Sequence, residues 1–293
     1  MKFVDPKTDI AFKKIFSNDA HKEILQEFLN EILILESPIA SLEILNPYQV
    51  PKLYDMNVTS LDIKAKDQLE REFIIEMQVA REEWFMQRAL YYSAKSYGQQ
   101  LRISGNYEEL HPVIFLGILN FNAFEHDRYF TRHAILDVES HEWQLRDLEF
   151  NFIELPKFQK SENELKTAAE KWIYFLKQAK NLDHVPENTD FLSLQTAYQI
   201  AEQHQWSRDE LELYDAQEKE AHRQRNVFET AKREGLEQGL EQGRAEGLEL
   251  GKQEGIEQGK IDVAKKLLAT MDDVQIAELT GLAIQTVTQL RND

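Results

Sequence analysis

Residues 60–66, SLDIKAK, and residues 72–79, EFIIEMQV, read as neighbouring strands of one hairpin that sets Asp62, Glu76 and Gln78 at a common edge. In the first run, alternation puts Leu61 and Ile63 on one face and Asp62, Lys64 and Lys66 on the other. In the second, Phe73 and Ile75 oppose Glu76 only after a one-residue adjustment of phase. The polar residues between them, 67–71, suit a tight connection.

An edge of this composition matches the needs of phosphodiester hydrolysis. Charge must be neutralised on a pentavalent phosphorus, a water made nucleophilic and a leaving oxygen stabilised; one or two Mg²⁺ ions serve all three. Mg²⁺ is held by one or two carboxylates together with waters and substrate phosphate oxygens, so Asp62 and Glu76 have the right chemistry and number. Gln78 lies on the strand face of Glu76, where its amide can orient the attacking water, and Lys64 or Lys66 adds the positive charge an amide lacks. Carboxylates on the solvent face of a strand are also ordinary surface charge, and spacing alone does not separate the two readings.

Further residues fall in a telling order: Thr8, Asp9, Phe12, Lys13 and Phe16, then Leu61-Asp62, Glu76-Met77-Gln78, Arg88 with Tyr91 and Tyr92, Tyr107 with the run 112–119, and Glu154-Leu155-Pro156-Lys157. On this set, residues 5–158 resemble the recombination-promoting nuclease and transposase group of the PD-(D/E)XK nuclease superfamily. The resemblance implies an α/β fold with an αβββαβ core, a mixed sheet and an α-helical C-terminal region. It implies DNA as partner and Mg²⁺ as cofactor, with Mn²⁺ as a substitute. Asp62 takes the place of the metal-binding aspartate, Glu76 that of the second acidic ligand, and Gln78 the position held by lysine in the wider superfamily. Leu61 stands where the motif's name has proline. With Gln78 in place of lysine, the general base or charge stabiliser stays open. Lys64, Glu27, Arg88 and Tyr92 are accessory candidates, the last two one helical turn apart.

Helical spacing of Phe12, Ile15, Phe16, Ile24, Leu25, Phe28 and Leu29 predicts a helix over 8–35, broken locally near Asn18 or Asp19 and ended by Pro38. A strand over 42–45, a loop carrying Pro47 and Pro51, a helix from 82 to about 103 and an apolar buried strand over 112–121 complete the core. Strands over 129–138 and 148–155 extend the sheet.

With 293 residues, 42% hydrophobic and 29% charged, and no apolar run of membrane-spanning length, the chain reads as a soluble globular protein, cytoplasmic by default. The absence of cysteine excludes disulfides and thiolate metal sites. A net charge of −18 argues against simple nucleic-acid binding, but much of the acidity lies near the C-terminus. Lys13, Lys14, Lys64, Lys66, Arg71, Arg81, Arg88, Lys95 and Arg102 either line a DNA path or are scattered solvent charges.

Four segments are expected: a nuclease-like domain 1–158, a helical region 159–233, a linker 234–260 and a small helix-turn-helix-like module 261–293. In the second, Ser161 with Glu164 caps a helix whose stripe includes Leu165, Trp172, Ile173 and Leu176, and Pro186 marks a break. In the third, glycines recur at every fourth position from Gly235 to Gly259. Seven such glycines cost a helix about 6–7 kcal/mol relative to alanine. The segment is thus either a weak helix-prone linker or a small-residue face for a second copy. In the module, Gln285, Gln289 and Arg291 are the groove-facing candidates, against a reading of packing or self-association. A rival to the nuclease reading is a nuclease-fold protein that has lost turnover and acts in DNA binding, regulation or assembly, motivated by the acidic balance, Gln78 and the repeat.

Overall fold

Ala11, Phe12, Ile15 and Phe16 form the buried side of α1 (Asp9–Phe16), which carries Asp9 in its first turn and Lys13 and Lys14 in its last, the signs each helix end favours. The chain breaks at Asn18, whose side-chain carbonyl accepts from the Ala20 N–H (3.0 Å) and caps a 3-10 turn, Asp19–His21. Helix α2 (Lys22–Ile32) follows. It stops short of residue 35 because Asn30 exchanges two hydrogen bonds with the Ile39 backbone (2.8 and 3.0 Å), which turns the chain back along the helix. The structure, a computed structural model, describes residues 2–45, 48–49, 59–101 and 105–292. The loop prolines 47 and 51 and the expected helix end at 103 lie outside the described residues.

The chain divides into two compact units, residues 1–222 and 223–293. The first holds all the described strands: β1 (Leu42–Leu45), β2 (Tyr48–Gln49), β3 (Thr59–Ser60), β4 (Ile63–Asp67), β5 (Glu72–Gln78), β6 (Val113–Leu119), β7 (Phe130–Ile135) and β8 (Leu145–Glu154). Six form one mixed sheet in the order β1-β4-β5-β6-β8-β7, with β5, β6 and β8 parallel and the rest antiparallel to their neighbours; β2 and β3 pair separately. The expected hairpin is β4 and β5. Its turn is closed by the Asp67 carboxylate, which accepts from the Leu69 and Arg71 backbone N–H groups (2.9 and 3.0 Å) and from Arg71 Nε (2.7 Å).

Side-chain alternation along β5 sorts the sheet into two buried faces. Phe73, Ile75 and Met77 pack with α1, α2, α4 (Ala168–Gln178) and α5 (Leu192–Ala201) around Phe16, Phe28 and Trp172. Ile74 faces the other way, with Phe115 and Phe152, under Phe85 and Ala89 of α3 (Phe85–Gln100). No phase adjustment occurs in β5, whose register with β6 runs unbroken from Glu72↔Val113 to Gln78↔Leu119. Gly117, the β6 neighbour of Glu76, leaves room for an aromatic ring: a methyl there would lie 2.8 Å from Phe152 Cδ1.

Beyond the sheet, Ser161 and Glu164 do form a capping box, but it closes a 3-10 turn, Glu162–Glu164. Helix α4 has its own box, in which the Glu170 N–H donates to Thr167 Oγ1 (3.2 Å) and Glu170 accepts from the Thr167 N–H.

All seven repeat glycines lie in one helix, α6 (Arg208–Leu267), and a methyl added at any of them would meet nothing within 4 Å. In the second unit, α7 (Asp273–Thr280) and α8 (Ile284–Asn292) enclose a small core of Ala264, Ile276, Leu282 and Val287. Gly281, at φ 69°, supplies the left-handed turn between them. Gln285 and Gln289 are exposed, but Arg291 is not available to a groove: it pairs with Asp273 (2.6 Å) and donates to the carbonyls of Leu268 and Met271 (2.7 and 2.8 Å). No helix among the described residues is long and apolar enough to cross a membrane.

Candidate active site

Strand pairing between β4 and β5 runs only from Lys66↔Glu72 to Ile63↔Ile75. Ahead of Ile63 the chain bends at Asp62, and the bend reverses the expected facing of Leu61, which packs with Ile74, Phe85 and Phe115 while Ile63 packs on the opposite side of the sheet. Where a longer β4 would have continued the ladder, the Met77 N–H donates to the Asp62 carboxylate (2.8 Å), and the Asp62 N–H donates to Glu76 Oε1 (3.2 Å). The two carboxylates are thereby drawn to one spot at the end of the hairpin. Gln78 joins them, its side-chain amide donating to Glu76 Oε2 (3.3 Å).

Glu76 is only 3% exposed. Its carboxyl is pushed up to about 8, first by burial and then by the neighbouring Asp62 charge, against opposing hydrogen bonds from the Asp62 N–H and Gln78 and the charge of Arg88. Asp62 is also raised, mainly by burial, with Asp9 adding repulsion and the Met77 N–H, Lys13 and Arg88 opposing. No ion pair to either carboxylate forms among the described residues. Burial and proximity thus raise both carboxyls, and a divalent cation placed between them would relieve their repulsion.

Of the accessory candidates, the structure brings two to this spot. Arg88 pairs with Glu82, and its guanidinium lies 5.9 Å from the ring centres of both Phe85 and Tyr92. Its charge acts on both site carboxylates and on the Tyr92 phenol, which burial raises. Lys64 turns the other way along the hairpin, to Glu72 (3.0 Å), which also accepts from Ser96 Oγ (2.5 Å). Glu27 accepts from Ser193 of α5. From α1, Asp9 and Lys13, mutually paired at 2.7 Å, lie within electrostatic reach of Asp62. Their i,i+4 placement on the polar side of an amphipathic helix was the available signal for them.

Glu154, fully buried, has a supporting part. Its carboxylate accepts from the backbone N–H groups of Ala123 (2.5 Å) and Phe124 (3.1 Å) and pairs with Lys157 (2.7 Å). This fixes the chain leaving β6, where the Asn120 N–H donates to the Gln78 carbonyl (2.9 Å). Most of the cations considered for a DNA path have acidic partners: Lys14 with Glu210, Lys66 with Glu70, Arg71 with Asp67, besides Lys13, Lys64 and Arg88. Arg102 lies outside the described residues.

Donor chemistry at the site fits a divalent metal. Two hard carboxylates suit Mg²⁺, which completes its shell with water and phosphate oxygens. No group of three or more metal-ligating side chains occurs among the described residues.

A mixed sheet with helices on both faces and two acids gathered at a hairpin end defines a nuclease-like α/β domain. The model of the PD-(D/E)XK nuclease family transposases matches residues 6–231, and the chain belongs to that family. No curated protein and no solved structure gives a match.

Proposed function

We propose that this protein is a Mg²⁺-dependent DNA endonuclease, with Asp62 and Glu76 holding the cation and Mn²⁺ able to replace it. The observation that carries this reading is the convergence of a buried carboxylate, Glu76, and a half-buried one, Asp62, at the end of the β4–β5 hairpin, neither in an ion pair among the described residues. Membership of a nuclease family points to a phosphodiester substrate.

When bound, the cation neutralises phosphate charge and acidifies water. Asp62 and Glu76 would hold the cation through their carboxylate oxygens, and its charge would offset the repulsion that raises both groups. Gln78 is tethered through its amide nitrogen to Glu76, which leaves its carbonyl oxygen to accept a hydrogen bond from a water approaching phosphorus. The water oxygen bonds to phosphorus as the bond to the leaving sugar oxygen breaks. The water's proton passes to solvent, and the leaving oxygen takes one from solvent.

Cleavage of supercoiled plasmid in Mg²⁺ by the parent, Asp62→Asn and Glu76→Gln tests the reading. Each substitution keeps the shape and removes the charge, and each should lower the rate by at least about 100-fold. Equal rates in all three would take both residues out of the chemistry.

A further inference from the structure

A protein cation beside the phosphate adds to the charge neutralisation a metal ion gives, and strand β5 supplies none. Gln78 is neutral, and Lys64 is committed to Glu72. Lys13 is shared with Asp9 on the same helix turn. Arg88 is placed by the geometry of α3 on the sheet. Ser96 Oγ donates to Glu72 at the start of β5 (2.5 Å), while Phe85, at the other end of the helix, packs with Leu61 and Ile74. Helix and strand therefore run in opposite directions. Eight residues of helix back from Ser96 is about 12 Å, and four residues of strand on from Glu72 is about 13 Å. These rises bring Arg88 level with Glu76 along β5. Consistently, its charge acts on Asp62 and on Glu76.

The side chain is also held in place. One edge of the guanidinium is tied to Glu82, and the group lies near the faces of Phe85 and Tyr92. Its Nε–H is buried and has no acceptor among the described residues. A buried donor left unpaired is costly, and a catalytic role is one reason such a group is kept.

We propose that Arg88 contacts the scissile phosphate and provides, from helix α3, the positive charge that Gln78 cannot. Resting on the nuclease reading above, this assigns to a helix residue the electrostatic task that the superfamily's strand lysine performs. An arginine suits the task because its planar fork stays charged beside acids and can bind two phosphate oxygens at once.

The test compares plasmid cleavage by the parent, Arg88→Gln, Arg88→Lys, Gln78→Lys and the double variant Arg88→Gln/Gln78→Lys, with Mn²⁺ calorimetry and thermal melting on each. Arg88→Gln should lose about 100-fold in rate at saturating metal, while its Mn²⁺ affinity holds or rises, since a cation has left the neighbourhood of the carboxylates. Arg88→Lys should retain part of the rate. Moving the charge back to the strand, in the double variant, should recover at least about tenfold over Arg88→Gln. A merely structural arginine predicts no such recovery. Parent-like cleavage by Arg88→Gln, or a folded, Mn²⁺-binding double variant with no recovery, overturns the assignment while leaving the nuclease reading intact. A parent that neither binds Mn²⁺ nor cleaves overturns both.

Discussion

Replacing Glu76 by glutamine should make the metal-free protein more stable at pH 8 and leave it equal or slightly less stable at pH 5. The folded-state carboxyl titrates near 8 against 4.5 unperturbed, so the folded chain binds the extra proton throughout that interval. Stability from this group is complete below about pH 4.5 and is lost as pH rises through about 8. A displacement of that size corresponds to about 4 kcal/mol by pH 8, and relaxation of the site with water entry reduces it to on the order of 2 kcal/mol. Asp62, raised by the same burial, acts in the same direction. Glutamine has no charge to bury and removes the Glu76 part. Urea unfolding of the parent and Glu76→Gln in a chelating buffer, at half-unit steps from pH 5 to 8.5, gives the difference directly. The variant should gain on the parent steadily with pH, by on the order of 2 kcal/mol at the top of the range. A difference independent of pH would show instead that Glu76 ionises in the folded chain as it does in the unfolded one.

Other substitutions probe the frame around the site. Gly117→Ala places a methyl 2.8 Å from Phe152 Cδ1 beside Glu76, and should cost about 1–3 kcal/mol in denaturant unfolding. Glu154→Ala strands Lys157 and two backbone N–H groups in the interior, and should cost about 3–5 kcal/mol by the same measurement. Changing Gly239, Gly243 and Gly247 of α6 together to alanine meets no neighbour and should raise helix stability by about 2–3 kcal/mol, read as a higher melting midpoint of the far-ultraviolet circular dichroism signal.

The hairpin, the all-apolar β6 and the helix break at Asn18 were legible because each rests on local chemistry: alternation, continuous burial, or a capping side chain. Family membership was legible from ordered residues spread over half the chain, as the match over residues 6–231 bears out. What sequence could not supply was set at long range. The bend at Asp62 depends on the Met77 N–H, fifteen residues away, and it reversed the facing of Leu61. Lys64 looked free to serve the phosphate until its partner Glu72, diagonally across the hairpin, came into view. The end of α2 was decided by Asn30 reaching Ile39, not by Pro38. Ser161 capped a turn and not a helix because Thr167 and Glu170 offered a second box one turn later. Arg291 was consumed by Asp273 and two carbonyls that only folding brings near.

Asp62 and Glu76 are proposed to grip one divalent ion together. A crystal of the parent soaked in Mn²⁺ and measured for anomalous scattering tests it most directly. The expected result is a peak with an oxygen from each carboxylate at about 2.1–2.2 Å. A peak bound by one of them alone, or none at the hairpin end in a crystal that takes up manganese elsewhere, would contradict it.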